Sequence, residues 1–587
     1  MTAPTSRPAT RFVWLLLLVL LAALANVVAW WWPNRPVQVG HAPYAAQEHV
    51  VESMSFAPFR RGQSPLTKTY PTAEQVTEDL HSLKGITRGI RTYTAREGLE
   101  VVPPVAQKLG INVMQGVWLG PERDINEKEV AAAIELANRY PDAIKSLVVG
   151  NEVLLRKDLP VDEVIGYIRK VKAAVKQPVT YADVWEFWLR FPQLLNEVDF
   201  VTVHFLPYWE DLPIAASHSM PHILEVYREV KAKLPGKPIT IGEVGWPSEG
   251  RSRRDAIPSR TEAAGFIADF MQLAKKEGLS YNLVEAFDQP WKVKLEGTVG
   301  GAWGVLNELR QPKFEVGGLV SNLPEWPLFA GLGVLLALIL LVLHAQAVAK
   351  LPTAGMAAAV VFAQVQAALL SAAIERGLEY NFSLAHQMEF GIAILLLGIF
   401  ALLLFRRLLV LLGGQAVDTR VSQSLGSAFV LLRPVAGALS LRNPRLGEAV
   451  YGMLALWVGY HAVMLVAAGR YRDFPIDYFL LPVAGLLLLR LIASLFGRDG
   501  TVGLARIALA STFAEPQPGG VARGRFGWEA GLAFVLLCLP VLVLRIETLS
   551  NREALYWCVL TVAYALPLLG NLALAAQRAA ARVPAAA

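Results

Sequence analysis

Cysteine is almost missing from this chain: among 587 residues only Cys538 and Cys558 occur, both inside apolar runs. Residues 36–323 contain none, so that stretch folds without disulfides and tolerates an oxidising compartment. Also missing are a metal-ligand cluster, a phosphate-binding loop, a Gly-rich dinucleotide turn after the first strand and a Ser/His/Asp arrangement. Zinc chemistry, nucleotide binding and serine hydrolysis therefore lack a signature, and neither a metal nor another cofactor is expected. No internal repeat marks an inverted-repeat transporter. Charged residues are sparse, at 18%, and unevenly placed. Residues before 36 hold three basic and no acidic side chains; residues 36–323 carry net −3 and residues 324–587 net +6. The overall +6 thus belongs to the apolar parts, where membrane topology accounts for it, and nucleic acid is not an expected partner.

What is abundant is apolar sequence, 54% of the chain, concentrated at both ends. Phe12 to Trp32 runs 21 residues without a charge, enough to span a hydrocarbon core of about 30 Å. Arg7 and Arg11 precede it, which keeps the N-terminus cytoplasmic, and Trp30, Trp31 and Trp32 suit the outer interface. Ala23-Leu24-Ala25 offers a competing signal-peptide cleavage site. An uncut anchor is the preferred reading, because the apolar stretch continues past that site. Seven further spans are expected near 327–348, 353–374, 389–405, 448–468, 473–495, 529–545 and 554–576. The loops 406–447 and 496–528 and the C-terminal tail then face inward with their arginines: Arg406, Arg407, Arg420, Arg433, Arg442, Arg445, Arg498, Arg506, Arg523, Arg525, Arg578 and Arg582. Within the spans, Arg490 is expected to snorkel and His461 to bond a neighbouring helix, and Pro482 and Pro540 to kink theirs. The division is therefore 1–35 tail and anchor, 36–323 soluble domain, 324–587 membrane domain.

Between the apolar ends, strand and helix patterns alternate. Strand-like runs are Val51–Phe56, Gly89–Tyr93, Asn112–Trp118, Ser146–Val149, Val179–Asp183, Phe200–Phe205, Ile239–Gly242 and Asn282–Phe287. Helix-like stretches include Glu127–Arg139, Val161–Val175 and Arg260–Glu277. Regular alternation predicts parallel βαβ units, and eight strands predict an α/β fold closed as a (β/α)8 TIM barrel. A doubly wound open sheet is the alternative. Two runs end in a carboxylate: Val148-Val149-Gly150-Asn151-Glu152 and Ile239-Thr240-Ile241-Gly242-Glu243, the glutamates lying 91 residues apart. At roughly 30 residues per strand–helix unit, this puts them after the fourth and seventh strands, on the face where barrel enzymes hold their catalytic groups. Two converging carboxylates suit retaining cleavage of a glycosidic bond. Glu243, held by the following Val244-Gly245-Trp246-Pro247, is the expected nucleophile and Glu152 the acid/base; each would otherwise be a solvated strand-end residue. Arg91 ends the second strand and suits a hydrogen bond to a catalytic carboxylate or sugar, or else a structural ion pair.

Several segments together resemble glycoside hydrolase family 17, the β-1,3-glucanase and glucanosyltransferase family. They are Gly89-Ile90-Arg91-Thr92-Tyr93, Val149-Gly150-Asn151-Glu152, Gly242-Glu243-Val244-Gly245-Trp246-Pro247-Ser248, Val284-Glu285-Ala286-Phe287-Asp288-Gln289-Pro290-Trp291-Lys292 and Ala302-Trp303-Gly304. The resemblance implies Glu243 as nucleophile and Glu152 as acid/base, with Asn151, Glu285 and Lys292 in support. The membrane layout resembles bacterial proteins described as β-(1,6)- or β-(1,3)-glucan synthases. Two positions depart from the family pattern: Gln289 stands where relatives often carry Glu, and His204 where plant members usually have Asn.

Tyr93, Trp118, Trp185, Trp188, Tyr208, Trp209, Trp246 and Trp291 cluster near the strand ends, where aromatic faces suit glucose rings. Trp303 and His204 join the expected substrate-binding set; any one aromatic taken alone is better read as core, and His204 reads equally well as a satisfied barrel histidine. The resulting expectation is a retaining β-glucan transglycosylase in a bacterial inner membrane, with its barrel on the periplasmic side. Its partners would be a β-glucan oligosaccharide or polysaccharide, the lipid bilayer and a separate glucan synthase. Endo-β-1,3-glucan hydrolysis, or a glucan-binding or export scaffold without catalysis, are the alternatives.

Overall fold

A computed structural model describes residues 8–40, 51–379, 383–413, 445–496 and 527–580. Contacts divide the chain into two compact units, one of residues Pro36–Asn322 and one of Met1–Arg35 with Leu323–Ala587.

In the first unit, eight parallel strands close into a barrel. They are β1 (Met54–Ser55), β2 (Gly89–Arg91), β3 (Asn112–Val117), β4 (Ile144–Asn151), β5 (Val179–Val184), β6 (Val201–Phe205), β7 (Ile239–Val244) and β8 (Ser280–Leu283). Leu283 of β8 pairs with Met54 of β1 and completes the ring, which excludes the open sheet. Their buried faces explain the near-continuous apolar runs: Leu147, Val149, Val179, Val201, Val203, Ile241 and Leu283 are all at most 1% exposed. The connecting helices begin and end on local signals. Thr72 and Gln75 form a reciprocal capping box at Ala73–Ser82, and Ser259 caps Arg260–Glu277, which Gly278 terminates at φ 64°.

The eighth strand is shorter than its apolar run. Beyond Leu283 the backbone is shared with 303–306: Ala286 N–H still donates to Ser55 O of β1, but Glu285 N–H donates to Trp303 O, and the N–H groups of Val305 and Leu306 donate to Glu285 O and Ala286 O. Val37–Gln38 pairs antiparallel with Leu319–Val320, so entry and exit of this unit lie side by side.

Among the described residues, the second unit contains eight helices long and apolar enough to cross a membrane. They are Pro8–Asn34, Trp326–Leu343, Thr353–Glu379, Leu384–Leu412, Arg445–Ala467, Ile476–Leu495, Gly527–Glu547 and Arg552–Ala580. Asn26 donates to Ala330 O at 2.8 Å and Trp30 stacks on Phe329, joining the first helix to the second. The inward loop expected from 406 starts later, because the helix continues to Leu412 and keeps Arg406 and Arg407 helical; Arg445 opens the next helix and Arg578 lies in the last one. Arg7, Arg420, Arg433, Arg442, Arg498, Arg506, Arg523, Arg525 and Arg582 fall outside the described residues. His461 does reach a neighbouring helix, with Nε2 3.1 Å from Glu389 Oε1.

Gly116 on β3 lets the chain leaving β2 pass unusually close. A Cβ there would lie 2.3 Å from Thr92 O and 2.6 Å from Tyr93 Cα, both backbone atoms that cannot swing aside. Gly116→Ala is expected to destabilise the barrel by about 1–3 kcal/mol, the usual cost of overpacking. The denaturant midpoint of its unfolding measures this.

Candidate active site

The C-terminal rim of the barrel owes its geometry to slips in strand register. The β4–β5 pairing shifts between Val148 and Asn151, β6–β7 between Val203 and His204, and β7–β8 between Ile241 and Val244. Such irregularities re-aim side chains, and here they fall beside Glu152, His204 and Glu243. After β4 the chain turns with Gly150 at φ 90° and Glu152 itself at φ 52°. A left-handed backbone costs a non-glycine residue about 1–2 kcal/mol, and it sets where the Glu152 side chain leaves the strand.

Single side-chain atoms of Glu152, His204 and Glu243 lie within 4.8 Å of one another. Glu243 is 7% exposed. It accepts from Tyr93 Oη at 2.9 Å and from Arg91 Nη1 at 3.1 Å. Arg91 also donates to Gly242 O at 2.8 Å and to Asn151 Oδ1. His204 places Nδ1 2.9 Å from Glu152 Oε1 and Nε2 3.3 Å from Arg91 Nη1. Lys292 pairs with Glu285 at 2.9 Å, and Glu285 is fully buried. The sequence spacing did not show that Glu152, His204 and Glu243 come this close together, and their nearness alone does not make them metal ligands. Arg91 contacts two of the three and already brings positive charge there.

Burial would push Glu152 up, but its contact with His204 and the charges of Arg156 and Arg91 hold its carboxyl below the usual range. Burial raises Glu285 to about 7; Lys292 opposes the rise and the Glu243 charge adds to it. Asp183 rises to about 6 through burial, opposed by the Tyr181 hydroxyl and reinforced by the Glu152 charge. Burial and then the Glu243 charge raise Tyr93 well above the ordinary phenol range, so it remains a donor.

The expected aromatics separate into two sets. Trp118 is 38% exposed, with Arg156 over its ring at 4.4 Å, and Trp209, Trp291 and Tyr93 are half-buried on the same rim. Tyr208 and Trp246 are instead fully buried and cannot form a sugar-binding face. Tyr208 gives its hydroxyl to Arg251 O, and Trp246 stacks on Phe266 with Nε1 bonded to Ile257 O. Trp188 is core too, bonded to Thr202 O, and Trp303, 5% exposed, stacks behind Trp209. His204 is buried among charged partners, as a barrel histidine satisfied by its neighbours would be.

Gln289 uses both ends of its amide: Nε2 donates to the carbonyls of Ala57 and Phe287, and Oε1 accepts from Trp291 Nε1. A carboxylate could not make those donations. The sequence reading missed Arg156 and Asp183; the latter ends a recognised strand run and was open to the same strand-end logic as the glutamates. A cavity of about 480 Å³, lined by Glu52, Asn112, Lys145, Asp199 and Ser280, lies at the strand starts, opposite the carboxylates.

Residues 53–304 match the BtgE/BtgC glycoside hydrolase domain. A glucan 1,3-beta-glucosidase of Candida albicans is 26% identical over 260 residues, which cover 40% of this chain and 84% of the relative. One of Schizosaccharomyces pombe is 27% identical over 230 residues, covering 36% and 72%. Among solved structures, the family 17 β-1,3-glucanosyltransferase of Rhizomucor miehei is 25% identical, with a TM-score of 0.41, over 46% of this chain and 97% of its own. Strand pairing within the chain establishes the closed barrel without that likeness.

The raised Asp183 gives a signed pH dependence. A carboxyl at about 6 when folded and near 3.9 when unfolded contributes stability at low pH that is lost as pH rises between these values. Relative to Asp183→Asn, wild-type stability should therefore fall by about 2–3 kcal/mol from pH 3.5 to pH 6.5 and then level off. Denaturant titrations of both proteins across that range measure it.

Proposed function

The barrel of this chain belongs to glycoside hydrolase family 17, and from that premise we propose a membrane-anchored retaining β-glucan transglycosylase, a glucanosyltransferase acting on β-1,3-linked glucan. The observation that carries this reading is the approach of Glu152 and Glu243, with side-chain atoms within 4.8 Å. Retaining enzymes hold their carboxyl groups about 5–5.5 Å apart, whereas inverting enzymes leave about 6.5–9.5 Å for a water. In the first half-reaction a Glu243 oxygen bonds the anomeric carbon while the bond to the departing sugar oxygen breaks. Glu152 gives that oxygen its proton. In the second, an acceptor hydroxyl bonds the same carbon, its proton passes to Glu152, and the ester to Glu243 breaks. A glucan acceptor elongates, branches or cyclises the polymer; water hydrolyses it. The glucan 1,3-beta-glucosidase relatives support β-1,3-glucan as the substrate class.

Attachment to a membrane suits remodelling of a nascent polymer, beside a separate synthase, better than digestion of free glucan. The helix Pro8–Asn34 supports an uncut anchor: a cut after Ala25 would remove most of the helix that carries Asn26 and Trp30 to their partners. With a cytoplasmic N-terminus the barrel faces the periplasm of a bacterial cell and all eight helices cross the inner membrane. A reporter active only outside the cytoplasm should be active when fused after Asn322 and inactive after Gly413 or Phe496. Activity at either of the latter positions rejects this topology.

The full chain in detergent, given β-1,3-linked oligosaccharides, should yield longer or branched products. Shorter products alone favour the endo-hydrolase, and unchanged substrate favours a binding scaffold. Glu243→Gln should abolish turnover. Glu152→Gln should slow it by about 10²–10⁴-fold, and far less with a leaving group that needs no proton.

A further inference from the structure

The imidazole of His204 has a place prepared for it. On β6 it stands in register with Val184 of β5 and Glu243 of β7, and its side chain is fully buried. Gly242 leaves room for the ring, since a Cβ at that position would come within 3.1 Å of Cδ2 and 3.2 Å of Nε2. Arg91 has donors only, so Nε2, 3.3 Å from its Nη1, is the accepting nitrogen. The ring proton then sits on Nδ1, 2.9 Å from Glu152 Oε1. Glu243 Oε1, at 3.8 Å from Nε2, is beyond hydrogen-bond reach. In this tautomer the ring links Arg91 to Glu152, accepting at Nε2 and donating from Nδ1.

We propose, on the retaining reading given above, that His204 is a positioning residue that transmits the charge state of Glu243 to Glu152. Arg91 divides its donors between Glu243 and His204 Nε2, while Nδ1–H orients Glu152 and stabilises it as a carboxylate. When Glu243 becomes a glycosyl ester its negative charge is gone. Arg91 then acts undivided through the polarised imidazole, and Glu152 is readied to take the acceptor's proton. The proton that Glu152 gave to the leaving oxygen is restored by the acceptor hydroxyl; His204 neither gains nor loses one. Charged groups around Glu152 come from every side: Arg91 on β2, Arg156 after β4, Asp183 on β5, Glu243 on β7 and Glu296 after β8. A change confined to residue 204 leaves all of them in place.

The test is the pH profile of kcat/KM for the full chain acting on β-1,3-oligosaccharides. Attack requires protonated Glu152, so activity falls as pH rises through its titration. Removing a hydrogen bond that favours the charged form moves that fall upward. In His204→Ala the basic limb should shift to higher pH by about one to two units, the equivalent of one charge-assisted hydrogen bond. In His204→Asn, whose amide can place a donor where Nδ1 stood, the limb should stay within about half a unit of wild type. A lower rate in His204→Ala with an unmoved limb overturns the proposal, because lost packing alone does that. If His204→Ala does not fold, an upward shift in His204→Asn overturns it and an unmoved limb supports it. Wild-type protein inert on these sugars overturns the functional reading together with this one; active wild type with failed variants overturns this one alone.

Discussion

Arg91 sets a full positive charge at the floor of the barrel mouth, 1% exposed, and a charge so placed is tolerable only when partners meet it from several directions. They come from three strands, Asn151 at the end of β4, His204 on β6, and Gly242 O and the Glu243 carboxylate on β7, while Arg91 itself closes β2. The contacts that make the cation acceptable also hold Glu243 and, through His204, reach Glu152. Neutralisation and chemistry are one arrangement here. Tyr93 adds a donor to Glu243 whose burial keeps it protonated, and Ser55 and Asn282 hold the layer below.

Around that centre, electrostatics separate carboxyl groups that are identical in sequence. Glu152 sits below its ordinary range because donors and cations outweigh its burial. Burial, reinforced by the Glu243 charge and only partly offset by Lys292, drives Glu285 up to about 7, and burial drives Asp183 to about 6. A ring of acids that titrate apart lets some hold charge while others hold protons near neutrality, a common condition of working sites.

Much of this was legible because strand ends are legible. Apolar runs ending in Glu152 and Glu243, spaced by whole strand–helix units, located the carboxylates, and Arg91 followed from the same logic. The chain did not disclose the inward or outward sense of its aromatics. Tyr208 and Trp246 share the composition and position of Trp209 and Trp118, yet their rings turn into packing against neighbours that arrive only in three dimensions. Nor did it disclose the register slips on either side of His204 and Glu243, which no local pattern encodes. Gln289 looked like a lost charge, and its amide proves to bond two carbonyls. In the apolar region, Glu389 became visible only as the partner of His461.

The ribbon of Val37–Gln38 against Leu319–Val320 bears on ancestry. A domain whose first and last residues meet can be spliced into a host polypeptide without prising apart the segments on either side. The host ends here are also adjacent, since Asn26 and Trp30 of the first helix touch Ala330 and Phe329 of the second. Gain or loss of the catalytic module as a single genetic cassette would leave the host fold's own hydrogen bonds intact.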